Sequence, residues 1–262
     1  MLPVDDAYTL PRLYHMNSEP WLNLEAYADP ANEMLFKTVG AESERIALPG
    51  AGASTALGQL IRGRRSVRKF SDEPLELDRL SALLADAYGV TGFITGPDGL
   101  AMYKRAVPSA GALYPLEVYA LTHRVEGLPD GLYHYHGRDH VLERANGEAR
   151  IESLGDLLLG QYYLNTANAA IIFTAVFERT LEKYGPRGYR YVLFEAGHAA
   201  QNVCLLAAEA GLGSICTGGF YDARLNRFLG LDGKTEAALY VVGIGHRDES
   251  ADSGVSPEAE GP

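Results

Sequence analysis

Arg62, Arg64, Arg65, Arg68 and Lys69 stand within eight residues of one another in a chain of net charge −11, a local reversal of sign that needs a cause. A bound phosphate is one such cause. Arginine offers phosphate oxygens a planar fork of donors, and the Ser66 hydroxyl, set among arginines, adds a neutral donor. A solvated basic face is the other cause, since basic runs are common. Further along, Pro108-Ser109-Ala110-Gly111 reads as a turn in which Ser109 can donate a hydrogen bond and Gly111 lets the backbone approach a partner with no Cβ in the way. The same residues suit an ordinary turn.

Other constellations exclude chemistry. No GxGxxG opens a helix after a strand, no GxxxxGK[ST] occurs, and Ser109 is not in a GxSxG elbow, which removes a Rossmann site, a P-loop NTPase and an α/β-hydrolase. His134, His136 and His140 have a spacing compatible with zinc, but no cysteine or carboxylate completes the set in sequence, so no metal site is assigned. Cys204 and Cys216, the only two cysteines, are not in a CxxC pair and read as buried small apolar residues rather than a disulfide framework. The acidic balance speaks against sequence-independent nucleic-acid binding. No apolar run approaches the roughly 20 residues that span a bilayer. Asp5 and Asp6 break the layout of a signal peptide, which leaves the cytoplasm as the default location.

The elements that must position these residues follow from patterning. Residues 1–50 read as an irregular arm packed on a core, rich in proline and acidic groups. Residues 51–247 read as the folded domain and 248–262 as a disordered acidic tail. Leu77, Leu80, Leu83, Leu84 and Ala87 share one face of a helix closed by Gly89 and expected to cover the basic segment. Glu117 to Thr122, Leu132 to Tyr135 and Val141 to Arg144 read as strands, and the unbroken apolar run Ala169 to Val176 as a buried central strand. The longest helix is expected from about Tyr189 to Ala210, with Ala196, Gly197, Ala199 and Ala200 giving it a close-packing surface. A short strand to Cys216, a Gly218-Gly219 turn, a helix over Asp222 to Leu229 and a last strand over Ala238 to Gly243 complete the core.

With these residues in view, the chain from about Arg62 to Arg247 resembles the nitroreductase-fold flavoproteins. Within them it resembles the SagB-type dehydrogenases, FMN-dependent azoline oxidases that mature ribosomal peptides. The likeness rests on RRSVRKF at 64–70, PSAGALYPLEVYAL at 108–121, GLYHYH at 131–136, FERTLEKYGPRGYRY at 177–191, EAGHAAQNVCLLAAEAGLG at 195–213, GGF at 218–220 and the VGIGHR ending. Each string is weak alone; in fixed order they are specific. The resemblance implies an α+β nitroreductase-like fold, a mostly antiparallel mixed sheet flanked by helices, with the long helix at a dimer core. It implies that Arg64, Ser66 and Arg68 grip the FMN phosphate, with Arg65 as a neighbour that could swap with them. Pro108, Ser109, Ala110 and Gly111 would lie against the flavin or its ribityl chain, and the Gly218-Gly219 turn would send the Gly218 N–H to flavin N5. Arg247 could also reach the phosphate, although further basic residues expected near the C-terminus are missing.

The resemblance also singles out Lys183-Tyr184 as the pair that separates an azoline oxidase from a general reductase. A neutral lysine amine can accept the proton released as an azoline is oxidised if burial or a nearby cation favours that form, with Arg187 and Arg190 as candidate cations. Tyr184 would orient it or relay the proton. The implied function is oxidation of thiazoline or oxazoline rings to azoles in a peptide or peptide-like substrate, free or carrier-bound, with oxygen as final acceptor. The alternatives are an NAD(P)H-dependent nitro or quinone reductase, a peptide Cα–Cβ dehydrogenase, or a non-catalytic flavin-binding subunit of a cyclodehydratase complex. The 16 tyrosines suit a partner surface. A homodimer with FMN between subunits is the family's usual form.

Overall fold

The unbroken apolar run Ala169–Val176 forms β6, and neighbours pair with it on both sides. In the computed structural model, which describes residues 9–18, 37, 40, 43–49, 55–96 and 99–248, six strands form one sheet in the order β5-β4-β3-β6-β8-β7. They are β3 (Leu116–Thr122), β4 (Gly131–His136), β5 (Val141–Asn146), β6, β7 (Gly213–Thr217) and β8 (Glu236–Gly245). Every pairing is antiparallel. All of β6 except Val176 is buried because the sheet is covered on both faces. Ile171, Phe173 and Ala175 pack with Leu116 and Val118 of β3 against helices α3 (Leu77–Tyr88) and α6 (Arg187–Glu209). Ala170 and Ile172 meet Leu154, Leu158, Leu164, Leu225 and Leu229 on the other face, around α4 (Leu154–Leu157) and α7 (Asp222–Leu229).

The long helix α6 buries Val192, Ala196, Ala199, Ala200, Val203 and Ala207 at helical spacing, and these small side chains let the sheet and α3 approach closely. α3 buries Leu80, Leu83, Leu84 and Ala87, as its periodicity predicts. Its C-cap is Gly89, where a Cβ would lie 2.4 Å from the Ala85 carbonyl oxygen. The helix does not cover the basic segment. It packs on α6, while residues 66–71 pair with β7 and with the residues that follow β8. Val67 N–H donates to the Ser214 carbonyl of β7 at 2.9 Å, Ser71 N–H to His246 at 2.9 Å, and Asp248 N–H returns to Lys69 at 3.2 Å.

Three elements depart from the sequence reading. Thr9–Asn17 is a helix, α1, within the stretch expected to be irregular. His15 holds it, with Nδ1 3.0 Å from the Tyr189 hydroxyl and its ring edge-on to Phe177, a tertiary contact that no local pattern encodes. The rest of the proposed arm, and the tail beyond Asp248, lie almost wholly outside the described residues. Ala56–Gly63 is a second unexpected helix, α2, whose first turn is capped by Thr55 Oγ1 accepting from Gly58 N–H at 3.0 Å. Val90–Thr95 and Ala101–Arg105 form a separate hairpin, β1 and β2, which turns Phe93 and Leu100 outward at 66% and 67% exposure. With no face buried in this chain it shows no alternation to read. Among the described residues no helix is long and apolar enough to cross a membrane.

Phe173, fully buried at the centre of β6, anchors the helix-covered face. Phe173→Ala is expected to destabilise the fold by about 3–5 kcal/mol, read as a lower urea midpoint.

Candidate active site

The cationic segment begins where α2 ends. Arg64 N–H closes that helix on the Leu60 carbonyl at 2.9 Å. Arg65 folds its guanidinium back onto the carbonyls of Arg62 and Arg64, at 2.6 and 3.0 Å, and so serves the helix end. Arg64 is half-buried; Ser66 and Arg68 are exposed. Arg79, Arg124 and Arg179 each meet a carboxylate, but among the described residues no ion pair claims Arg64, Arg65 or Arg68. Two of the three therefore keep an uncompensated fork of donors on an acidic protein. Arg247 lies beside them, bridged to Phe70 through its backbone, with Nε donating to the Leu212 carbonyl at 3.2 Å.

The glycine turn after β7 adjoins this segment. Thr217 Oγ1 accepts from Gly219 N–H at 3.1 Å, and Gln161 Nε2 donates to the Gly219 carbonyl at 2.9 Å. Gln161 is in turn held by the Tyr163 hydroxyl, and the Arg68 guanidinium stands 6.0 Å from the Tyr163 ring centre. Gly218 is exposed, and its N–H has no hydrogen-bond partner among the described residues. Residues 64–71, 161–163, 213–219 and 247 thus make one group.

A second group forms around Gly111. That residue has φ +63°, and a Cβ there would lie 2.8 Å from Tyr184 Oη and 2.9 Å from Lys183 Nζ. Both side chains come from the last turn of α5 (Glu178–Tyr184), so two strings far apart in sequence meet at one atom's clearance. Tyr184 is steadied edge-on by Tyr191, ring centres 5.1 Å apart. Lys183 itself is exposed, as are Arg187 and Arg190, so the enclosure that the sequence reading invoked for the amine is not provided by this chain.

Pro108 is exposed and Ala110 half-buried at this turn. Ser109 Oγ accepts from Tyr114 N–H at 2.9 Å and lies near enough to the carboxyl of Glu195 to influence its ionisation. This hydroxyl, expected to serve a ligand, is engaged inside the protein. Glu195 is almost fully buried and receives the Tyr88 hydroxyl at 2.6 Å. Burial pushes its carboxyl up, and Ser109 and Tyr88 pull the other way. The sequence reading missed Glu195, although an acid between Val192 and Ala199 on the apolar face of α6 was a visible signal.

The two groups are separate within one chain. No hydrogen bond, ion pair or ring contact joins them among the described residues, and their supporting strands, β7 and β3, stand three strand spacings apart, on the order of 14 Å.

Beyond the Gly111 turn an open cleft of about 640 Å³ runs past Tyr103, Tyr114, Tyr119, His134 and Arg179. Arg179 sits one turn before Lys183 on α5, so both project from one side of the helix. Arg179 pairs with Glu117 at 2.6 Å. His134 places one ring nitrogen 2.9 Å from Glu117 and the other 2.9 Å from Glu143. The carboxylates that the sequence did not supply to the histidines thus arrive from β3 and β5, and they engage the imidazole itself. His136 pairs with Asp139, and His140 with Ser81 and Tyr135. No metal-binding cluster is present among the described residues. The Glu117 bond raises the His134 pKa against the effect of burial. Burial pushes Glu117 up, but His134 and Arg179 outweigh it and hold Glu117 below the usual carboxylate range.

The donor set fits a flavin mononucleotide. Free arginine forks beside a serine suit a phosphate dianion, the open Gly218 N–H suits a heterocycle nitrogen, and Gly111 leaves a turn without a side chain. Comparison with known proteins bears on the fold and the family. A nitroreductase-family signature matches residues 61–246. A protein of Methanocaldococcus jannaschii assigned by name to the nitroreductases is 40% identical over 196 residues, 74% of this chain and 92% of that protein. The microcin B17-processing protein McbC of Escherichia coli is 34% identical over 148 residues, 54% of this chain and 54% of that protein, so the chain spans about half of that relative. In the E. coli microcin synthetase McbBCD complex with truncated pro-MccB17 bound, one chain superposes with a TM-score of 0.64 at 24% identity, over 93% of this chain and 94% of that one. That likeness establishes the fold.

Two measurements test this geometry. Gly111→Ala is expected to cost about 1–2 kcal/mol for the left-handed backbone alone, and more if Lys183 and Tyr184 cannot yield, read by urea unfolding. Because the folded His134 pKa is raised, its contribution is complete below the unfolded histidine value and is lost as pH rises through the higher folded value. Unfolding followed from mildly acidic to mildly alkaline pH should show that decline in the native protein and a flatter profile in His134→Gln.

Proposed function

The chain belongs to the nitroreductase family, and from that premise we propose that it is an FMN-dependent dehydrogenase oxidising thiazoline or oxazoline rings to azoles in a peptide or peptide-like substrate. The observation carrying this reading is the convergence of Lys183 Nζ and Tyr184 Oη on Gly111. Aromatising an azoline removes a hydride and a proton. FMN, when bound, supplies the two-electron acceptor, reoxidised by molecular oxygen. Arg64, Ser66 and Arg68 would hold its phosphate with Arg247 alongside, Pro108 to Gly111 would border it, and the Gly218 N–H would donate where negative charge builds. Lys183 Nζ, in its neutral form, takes the proton, and the Tyr184 hydroxyl orients the amine or relays the proton.

A homodimer accounts for the division of the site into two groups. The cationic segment and Gly218 of one copy would face the turn and Lys183 of the other, and that second copy would enclose the exposed amine. An apolar surface is available for it. Leu193 and Phe194 on α6 and Leu57 and Ile61 on α2 are exposed, and a Cβ added at Gly197 would meet nothing.

Similarity to the microcin B17-processing protein supports a peptide substrate. The tyrosine-lined cleft that includes Arg179, one turn from Lys183 on α5, has the size and mixed walls of a site for several residues of such a chain. A cyclodehydratase that forms the azoline is the corresponding partner.

A second reading, an NAD(P)H-dependent nitro or quinone reductase, is favoured by the exposure of Lys183 and by the relative named for that activity. The readings separate in anaerobic cuvettes. A thiazoline peptide alone should bleach the flavin absorbance; bleaching by NADPH alone would replace the dehydrogenase with a reductase. Lys183→Ala is expected to keep stoichiometric flavin while losing thiazoline-dependent bleaching, and full retained activity would remove Lys183 from the reaction. The Arg64→Ala, Arg68→Ala double variant should purify without flavin.

A further inference from the structure

Cys204 and Cys216, read from sequence as separate apolar fillers, meet. α6 ends at Glu209 and the chain reverses into β7 beneath it, which brings the two sulphurs to 3.3 Å. Both are free thiols, Cys204 buried and Cys216 half-buried. They are the only cysteines in the chain. Arg64 stands close enough to favour a thiolate on either. The hydrogen bond with Cys216 is the largest influence that lowers Cys204 to about 7, and the same bond raises Cys216. That bond favours the thiolate on Cys204 over one on Cys216, and the thiolate is the reactive form of a cysteine. A disulfide needs its sulphurs about 2.05 Å apart, so bonding would close the gap between them by little more than an ångström and fix α6 to β7 at that point.

The position of Cys216 gives that movement a consequence. Two residues before it, the Ser214 carbonyl accepts from Val67 and holds the cationic segment. Immediately after it, the Thr217 hydroxyl accepts from Gly219 and shapes the glycine turn. At Gly213 there is no spare room, since a Cβ would lie 2.8 Å from the Val67 side chain.

We propose that Cys204 and Cys216 form a dithiol oxidised by hydrogen peroxide, and that the resulting disulfide ties α6 to β7 and weakens the hold on FMN. Bond formation is independent of the function proposed above; the effect on FMN rests on it. The chemistry balances. A thiolate attacks the peroxide, leaving a sulfenic acid and hydroxide; the second thiol displaces the sulfenic oxygen as water and closes the S–S bond. Two thiols lose two electrons and two protons, and the peroxide becomes two waters. Hydrogen peroxide is also what oxygen becomes when it takes two electrons from a reduced flavin, so the site would respond to the enzyme's own by-product.

Both cysteines lie in one tryptic peptide, residues 191–224. The full-length protein with its flavin is treated with hydrogen peroxide, alkylated and digested. The expected peptide is unalkylated and lighter by two hydrogens, reverts with dithiothreitol, and accompanies flavin release several-fold faster than from the reduced protein. Two alkylated thiols, oxygenated sulphur or a link between chains would overturn the site. A disulfide with unchanged flavin release would overturn its effect on FMN. Cys204→Ser and Cys216→Ser, tested separately, should each retain flavin and ignore peroxide, and the native peptide mass decides the bond even where a variant fails to fold. A protein isolated without flavin would count against the function reading alone, because the peptide mass still reports the dithiol.

Discussion

The hydrogen bond from Val67 to the Ser214 carbonyl places the cationic segment on the last strand of the sheet, and most of the site's geometry depends on that attachment. β7 is an edge strand, and its free edge is a natural docking place for another backbone. The segment that docks there brings Arg64, Ser66 and Arg68 level with the glycine turn that the same strand ends in. Gly213 makes the approach possible by leaving out the side chain that would strike Val67.

Electrostatics explains why those arginines stay available on an acidic protein. Other cations have local partners: Arg79 takes Glu76, Arg124 takes Asp72, and Arg179 shares Glu117 with His134. Among the described residues no carboxylate forms an ion pair with Arg64, Arg65 or Arg68. An exposed or half-buried arginine keeps its hydration at little cost and leaves its fork of donors open to an anion.

Much of the fold was legible because the buried elements carry their periodicity in sequence. β3, β4 and β6 alternate or run apolar, and α3 and α6 repeat at helical spacing, so their bounds were found within a few residues. The basic segment was legible as a charge anomaly. Elements whose order comes from distant contacts were not. α1 depends on His15 meeting Tyr189 and Phe177, and the β1–β2 hairpin turns its apolar residues outward. The same limit applies to the site. Gly111 and Lys183 were each singled out, but their contact, the burial of Glu195 against Ser109 and the approach of Cys204 to Cys216 are products of topology. The expectation that α3 covers the basic segment failed because its apolar face matches the alanine stripe of α6 better than a charged surface.

The left-handed backbone at Gly111 has a bearing on how such a protein can change. A side chain placed there would carry the strain of the left-handed backbone and would meet the ends of Lys183 and Tyr184, both within 3 Å of its Cβ, so a substitution at this point displaces the two groups together. Diversification costs less through the looser walls, such as the tyrosine-lined cleft and the side chains of α5 one turn away, than at the meeting point itself. A lineage could therefore exchange one substrate for another many times over without disturbing the contact between these two strings of sequence.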